Sequence, residues 1–469
     1  MRFSFLILVP LFLCSAFPAL AVDDTALATA GQEEELDRLF TTGTDFFDKA
    51  GLSGGLYYFQ RDRRRWDPKR DKWANNLNHA TLTANAEFNS GFAGGFLGLD
   101  VGVFGTHDIQ STGSPDHEMS FMPWGDPWHP DWSEKGTNDG VSIYKALIKG
   151  KAGPFWARGG YFQPTGPGVL GVNWSVMPGT YRGVNAGAEI GGLHVAVAWA
   201  DAYKAPWFKE MNSFYKNDGE SHVPWLWSSG IRYDFASGLS LEGAYGESKN
   251  HLWNGHFKSR WEKTLDENGA QKLNLAYHIY LMGDNDDSAA SPNDNFAGTA
   301  SHHYLMAEYI YKLWNLKLEG TYTRAPFNSD QQVGYFAYRL TDRSGSSKGA
   351  YEVWWDARSD WNHHDEKAVF ATIGRKLDDI MPLPGFAVAV GSGIGWEGEA
   401  YGTSRHFKEW AFTLDLSYVH QSGPLEGAFI KLHLTDYRNG TTFDSWAPYK
   451  NGFQSEKDVK LFVGIPFNL

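Results

Sequence analysis

Cysteine is almost missing: the 469-residue chain has one, Cys14, inside an N-terminal apolar run. The rest of the chain therefore forms no disulfide framework and offers no thiol nucleophile or thiolate ligand. Long apolar runs are scarce as well. Beyond the N-terminus, no segment supplies the ~20 consecutive apolar residues that a membrane-crossing helix needs. Positive charge is in deficit, with 42 Lys and Arg against 55 Asp and Glu and a formal net charge of -13. That balance argues against a nucleic-acid partner but says little about fold. No internal repeat is evident.

The N-terminus indicates export. Arg2 precedes the apolar run Phe3 to Leu13, and Ala19-Leu20-Ala21 forms a small-residue cleavage site, so residues 1–21 read as a secretory signal peptide. Leu13, directly before Cys14, is too bulky for a lipoprotein cleavage box, which argues against a lipid anchor. Residues 22–50, with the acidic "GQEEELDRLF", read as a periplasmic extension without an assigned role. Residues 51–469 read as a single domain.

Aromatics are plentiful, at 20 Trp, 22 Tyr and 31 Phe, as is Gly at 52. Period-two alternation runs from end to end. In "AFIKLHLTDYR", Ile430, Leu432 and Leu434 oppose Lys431, His433, Thr435 and Tyr437. In "LNHATLTANAEF", Leu82, Ala84, Ala86 and Phe88 oppose Thr81, Thr83, Asn85 and Glu87. "QKLNLAYHIYL", "NLKLEGTYT" and "EWAFTLDLSYV" repeat the pattern. Alternate side chains of a strand face opposite ways, so each is a strand with one oily and one polar face. Connections alternate too. Short turns at Ser90–Gly94, Lys151–Pro154, Gly191–Gly192, Ala236–Gly238 and Gln421–Pro424 interleave with long loops. The long ones are Asp108–Asn138, Gln163–Gly179, Ala202–Pro224, Gly283–Ala300 and Arg324–Gly349. A soluble sandwich has no reason to gather its long loops at one end; an outer-membrane barrel does. The expected fold is all-β: a transmembrane antiparallel β-barrel of about 18 strands, a channel-forming size. Uncertain pairing through Trp253–Lys263 and Tyr351–Asp356 leaves about 16 as the alternative.

The terminal strand "KDVKLFVGIPFNL" puts Val459, Leu461, Val463, Ile465 and Phe467 on one face. It resembles the closing strand of outer-membrane barrels, although Phe467 is third from the end rather than last. The run "RGGYFQPTGPGVLGVNWSVMPGTYRG" (Arg158–Gly183) resembles a strand, inward-folding loop and strand of the OprD-type porins. "FNSGFAGGFLGLDVGVFG" resembles their second turn and third strand. "YKAPW", "WWDARSDWN", "EKAVF" and "EKDVKLF" resemble the chitoporin branch of that family. The likeness covers nearly the whole mature chain and is weakest in the long loops, where selectivity resides. It implies a monomeric outer-membrane porin for chitin-derived oligosaccharides, embedded in lipid and lipopolysaccharide. Its C-terminal strand would be read by the barrel-assembly machinery. No cofactor is implied.

A porin needs a constriction, a field and a surface along which solute slides. Gln163–Gly179 contains Pro164, Gly166, Pro167, Gly168, Pro178 and Gly179, which resist helix and strand. It is read either as a surface loop or, as the resemblance favours, a constriction loop that includes Gln163, Pro164, Trp174 and Pro178. A mid-membrane Arg facing lipid costs ~2–4 kcal/mol, which turns Arg158 inward together with Trp156, in the same phase. The same logic points Arg182, Arg232, Lys431 and Lys460 inward, against Asp100, Glu242, Glu319 and Asp415. The resemblance implies a ladder of basic groups facing an acidic, hydroxyl-bearing wall. Charges of both signs suit a neutral polar solute. Trp124, Trp128 and Trp132 of "MPWGDPWHPDW" either form a greasy track for sugar rings at the mouth or belong to the interfacial girdle.

Two metal patterns are set aside. Adjacent His302 and His303 of "SHHY" point opposite ways on a strand, and "WNHHDEK" pairs histidines similarly. "DNDDSAASPND" lacks the central Gly and terminal Glu spacing of a calcium loop, which leaves loop calcium open. The rival functions are uptake of basic amino acids, peptides or aromatic acids, as in other OprD-type members; an outer-membrane lipase or protease, for which no nucleophile motif stands out; and an adhesive barrel without a conducting lumen.

Overall fold

The computed structural model describes residues 46–67, 69–113, 121, 139–216, 218, 220–285, 296–326, 334–341, 349–399, 406–440 and 454–468. The signal-peptide reading, most of the acidic prelude, and Trp124, Trp128 and Trp132 lie outside them. Eighteen long strands form one closed antiparallel sheet. They are β1 (Gly51–Asp67), β2 (Lys72–Asn89), β3 (Leu97–Gly113), β4 (Gly140–Ala152), β5 (Phe155–Phe162), β6 (Thr180–Ile190) and β7 (Leu193–Lys204). A small hairpin, β8 (Phe214–Tyr215) and β9 (His222–Val223), sits in the next loop. The sheet resumes with β10 (Leu226–Asp234), β11 (Leu239–Ser248), β12 (Leu252–Thr264), β13 (Gln271–Asp284), β14 (Thr299–Tyr311) and β15 (Trp314–Arg324). It ends with β16 (Lys367–Lys376), β17 (Phe386–Glu399), β18 (His406–Val419), β19 (Phe429–Asn439) and β20 (Glu456–Asn468). Closure comes from β1 pairing with β20, from Ser53 opposite Asn468 to Arg65 opposite Glu456.

The count of 18 resolves the two doubtful segments. Trp253–Lys263 lies within β12, whereas Tyr351–Asp356 is no strand at all. Some expected loop boundaries move. Asp108 is inside β3, and the connection read as Arg324–Gly349 extends to Glu366, just before β16.

The alternation is that of an inside-out protein. Leu305, Leu316, Leu318, Ile373, Ile394, Leu416 and Ile465 are exposed, while His278, His302, Glu308, Glu319, Thr413 and Asp415 are buried. An apolar exterior with a buried polar interior is the pattern of a barrel in lipid. Aromatics gather near the strand ends. Tyr233 lies against Phe235 at 4.6 Å and Phe386 against Tyr418 at 4.5 Å near the short turns. Trp227, Tyr245 and Trp253 form a row near the long loops. These are the two interfacial girdles.

Leu318, midway along β15 and 54% exposed, tests the outer face. Leu318→Arg should destabilise the barrel by about 2–4 kcal/mol in denaturant titrations of vesicle-inserted protein. A loss well under 1 kcal/mol would take this face out of lipid.

Candidate functional site: the lumen and its two inward loops

The inner faces of the strands leave more space than barrel side chains fill, and two loops occupy it. The first is the connection 163–179. Its neck is closed by Gln163, whose Nε2 donates to the carbonyls of Tyr144 at 2.9 Å and Gly179 at 3.0 Å. Thr165 N–H donates to Asn185 Oδ1 at 3.0 Å, and Val169 N–H to Ser228 Oγ at 2.8 Å. Pro164 and Pro178 are buried, and Trp174 bridges Pro178 across the tip. Val169 and Leu170 join the aromatic core within the barrel. The segment thus folds inward.

The second belongs to the connection read as a long loop, whose inward course sequence reasoning missed; its described stretches here are 334–341 and 349–366. Its stretch 351–359 alternates like a strand: Tyr351, Val353, Trp355, Ala357 and Ser359 are buried, while Glu352, Trp354, Asp356 and Arg358 are half-buried. It makes no ladder, which explains why the sequence reads ambiguously there. Its partners are side chains of the wall. Lys258 Nζ donates to Ala350 O at 2.9 Å and to Glu352 Oε1 at 2.5 Å, and Arg260 pairs with the other Glu352 oxygen. Lys460 pairs with Asp356, whose carbonyl also meets His433 Nε2 at 3.0 Å. Arg358 Nε lies 3.2 Å from Glu456. Room for this loop comes from β17, whose inner face reads Ala387, Ala389, Gly391, Gly393, Gly395. The Phe370 ring lies over Gly391 and Gly393, where a Cβ would come within 3 Å. Trp355 stacks on that ring at 5.2 Å.

The loops touch each other. Ala350 N–H donates to Val169 O at 2.9 Å. Gly349, at φ 67°, lies so close to Val169 O that a Cβ would come within 2.4 Å of it. Four non-glycine residues also take positive φ in the second loop, Asp356, Arg358, Trp361 and Asp365. Such backbone persists only where surroundings over-determine it, and the contacts of Asp356, Arg358 and Trp361 supply that.

The structure sorts the expected lumen residues into three groups. Asp100, Glu242, Glu319, Asp415 and Lys431 are buried on the inner face, paired with Lys149 (2.7 Å), His256 (2.7 Å), Lys317 (3.0 Å) and, for the last two, each other (3.1 Å). Arg232 lies in the inward phase beside Asp234 at 3.3 Å, and Lys460 holds the second loop. Trp156 and Arg158 point inward but lie under the first loop. Arg158 donates to Thr165, and the Trp156 ring runs beneath Gly166 and Gly187. Arg182 is the exception. It shares the exposed phase of Val184, half-exposed, and pairs with Asp201 at 2.7 Å. The register shift here leaves out Asp201 on β7, so the bulge is on the neighbouring strand and Arg182 faces outward by the same alternation as Val184. It lies two residues from the start of β6, at the long-loop end, where an outward Arg costs little compared with one at mid-membrane. His302 and His303 do point opposite ways: His302 is buried, and His303 lies beside Tyr277 and Tyr322 in the outer row.

A basic run on β1 was also missed. In "RDRRRW", Arg61, Arg63 and Arg65 share the inner phase. Arg61 grips Asp458 at 2.6 Å, and Arg65 grips Glu456 at 2.7 Å. The signal was present, since alternate arginines outside a turn must avoid lipid.

Glu352 carries its charge in this setting. Burial raises its pKa, but Arg260, Lys258 and His278 more than offset that and hold it well below the usual carboxylate range. A depressed folded pKa gives stability present above the unfolded value and lost only as pH falls through the folded one. Acidification from about pH 7 to about 5 should therefore leave this anchor intact. A conductance change over that range that disappears in Glu352→Gln would contradict it. Gly349→Val should separate the loops and give a larger, noisier single-channel conductance; an unchanged trace would mean that their contact does not shape the lumen.

With this geometry in view, comparison with known proteins is informative. A family model described as outer membrane porin, OprD family, matches residues 44–469. The chain is 38% identical over 444 residues to the chitoporin of Escherichia coli (strain K12), covering 90% of this chain and 92% of that one. Among solved structures, Pseudomonas aeruginosa OpdK with vanillate superposes with a TM-score of 0.71 at 17% identity, over 90% of this chain and 100% of the other. Acinetobacter baumannii OccAB2 gives 0.70 at 15%, over 91% and 100%. These two likenesses bear on the fold alone.

Proposed function

The chain belongs to the OprD family of outer membrane porins, and we propose that it takes up chito-oligosaccharides, oligomers of N-acetylglucosamine, by passive diffusion through the lumen. The observation that carries this reading is the likeness to a chitoporin along nine-tenths of both chains. The lumen chemistry agrees with it. Its half-buried charges come as ion pairs, Arg260 with Glu352, Lys460 with Asp356, and Arg65 with the buried Glu456. A paired charge keeps spare donors and lone pairs but little net field, which suits hydroxyls and N-acetyl amides. Tyr57 and Trp354, both half-buried, offer aromatic faces for the apolar side of a sugar ring. Arg158, buried beneath the loop, positions that loop instead of meeting solute. In this reading the barrel acts as a monomer, lipid and lipopolysaccharide cover its apolar belt, and the assembly machinery reads β20.

One feature favours a second reading, uptake of aromatic or other carboxylates. Arg61, Arg63, Arg65 and Arg358 gather around two carboxylates, Glu456 and Asp458. Guanidinium groups gathered at one place are the chemistry that recognises carboxylates.

Planar-bilayer recordings separate the two. N-acetylglucosamine oligomers should block ion current transiently, longer ones more strongly, and malto-oligosaccharides less because they lack the N-acetyl group. Arg260→Ala should weaken the block by roughly 1.5–3 kcal/mol, the range for a hydrogen bond to a charged group. Equal block by both sugars, or block by aromatic carboxylates alone, would give way to the second reading.

A further inference from the structure

Where the second loop rejoins the wall, two carboxylates meet away from any Lys or Arg partner. Glu366, the last residue before β16, and Glu409, on β18, are both fully buried. Among the described residues their one ion-pair partner is His363, whose Nδ1 lies 2.8 Å from Glu366 Oε2 and 3.7 Å from Glu409 Oε1. Glu409 is oriented from outside the cluster, by Ser359 Oγ at 2.9 Å on one oxygen and the Tyr437 hydroxyl on the other. Glu366 Oε1 is different: it is buried and meets no donor. It sits over Gly395, the residue paired with Glu409 across the ladder, where a Cβ would be 2.5 Å from that oxygen and 3.2 Å from Glu409 Cγ. The bare oxygen is thus turned toward the other carboxylate, in space that only a glycine leaves. Two buried carboxylates against one imidazole leave negative charge uncompensated, which is costly in a dry interior. Burial is the largest cause and pushes the Glu366 carboxyl up to about 7, against the lowering contacts of Glu409 and the His363 backbone.

We propose that His363, Glu366 and Glu409 bind one divalent transition-metal ion of the zinc class, clamping the base of the second loop to β18. The three ligand atoms lie within 4.8 Å of one another. One imidazole nitrogen with two carboxylate oxygens is a donor set for zinc, whereas calcium takes oxygen alone. The Ser359 and Tyr437 hydroxyls are the outer partners that orient a ligating carboxylate. The adjacent His364, Asp365 and Glu399 are half-buried and lack these features, so they form the comparison site.

The full-length barrel, folded in detergent and stripped with chelator, should bind zinc in equimolar amount by equilibrium dialysis. Bound zinc should raise its thermal midpoint. Glu366→Gln, on the loop, should weaken binding at least tenfold, and Glu409→Gln should abolish it. Glu399→Gln should leave it unchanged. Should Glu409→Gln fail to fold, Glu366→Gln carries the test alone. Absent binding, binding undiminished in Glu366→Gln, or loss in Glu399→Gln alone would overturn the proposal. So would a midpoint that responds to protons and not to zinc, which would make the pair a shared-proton site.

Discussion

Lipid offers no partner for a backbone amide or carbonyl, and the remainder of the molecule follows from that constraint. Every strand must be paired on both edges, so the sheet has to close, as β1 does on β20. Closure makes one face of each strand lipid-facing, and period-two alternation then sends most charge to the other. An 18-strand circumference encloses more volume than wall side chains occupy. The chain fills it with backbone that is neither helix nor ladder, which survives at membrane depth only when buried in protein or lining water.

Those inward loops have their polar groups satisfied by the wall, which accounts for much of the buried charge. Lys258, Arg260 and Lys460 reach from strands to Glu352 and Asp356 of the second loop, and Arg158 reaches to Thr165 of the first. Removing one member of such a pair leaves the other facing the lumen without its partner. The pairs therefore fix loop position whatever their net contribution to stability. Position is what a selective channel requires, since solute contacts have to be in place before solute arrives.

The sequence made the barrel legible because lipid enforces alternation over many residues at once. A single misread position, such as Arg182, does not disturb the count. Local exceptions were less visible. Arg182 keeps the outward phase of Val184 and sits near the end of its strand, where the cost that drives an Arg out of mid-membrane no longer applies. The first loop announced itself through Pro and Gly. The second did not, because "YEVWWDARS" alternates as a strand would, though its partners are wall side chains and not backbone. Its room is encoded elsewhere, in the Ala387-to-Gly395 row of β17, whose meaning appears only once Phe370 and Trp355 lie against it.

That separation explains why burial and function diverge among lumen charges. A residue that faces inward can be covered by a loop, as Arg158 is at 3% exposed, or remain reachable, as the Arg260 side chain is at 38%. Phase along a strand distinguishes lipid from lumen, but it cannot distinguish these two. What does is the path of a loop tens or hundreds of residues away, pinned where Ala350 meets Val169. The surface open to solute is therefore a joint property of wall and loops. A change at Gly349 can alter it without touching a charged group, whereas Lys431 and Asp415 can stay paired beneath it and contribute only to the scaffold.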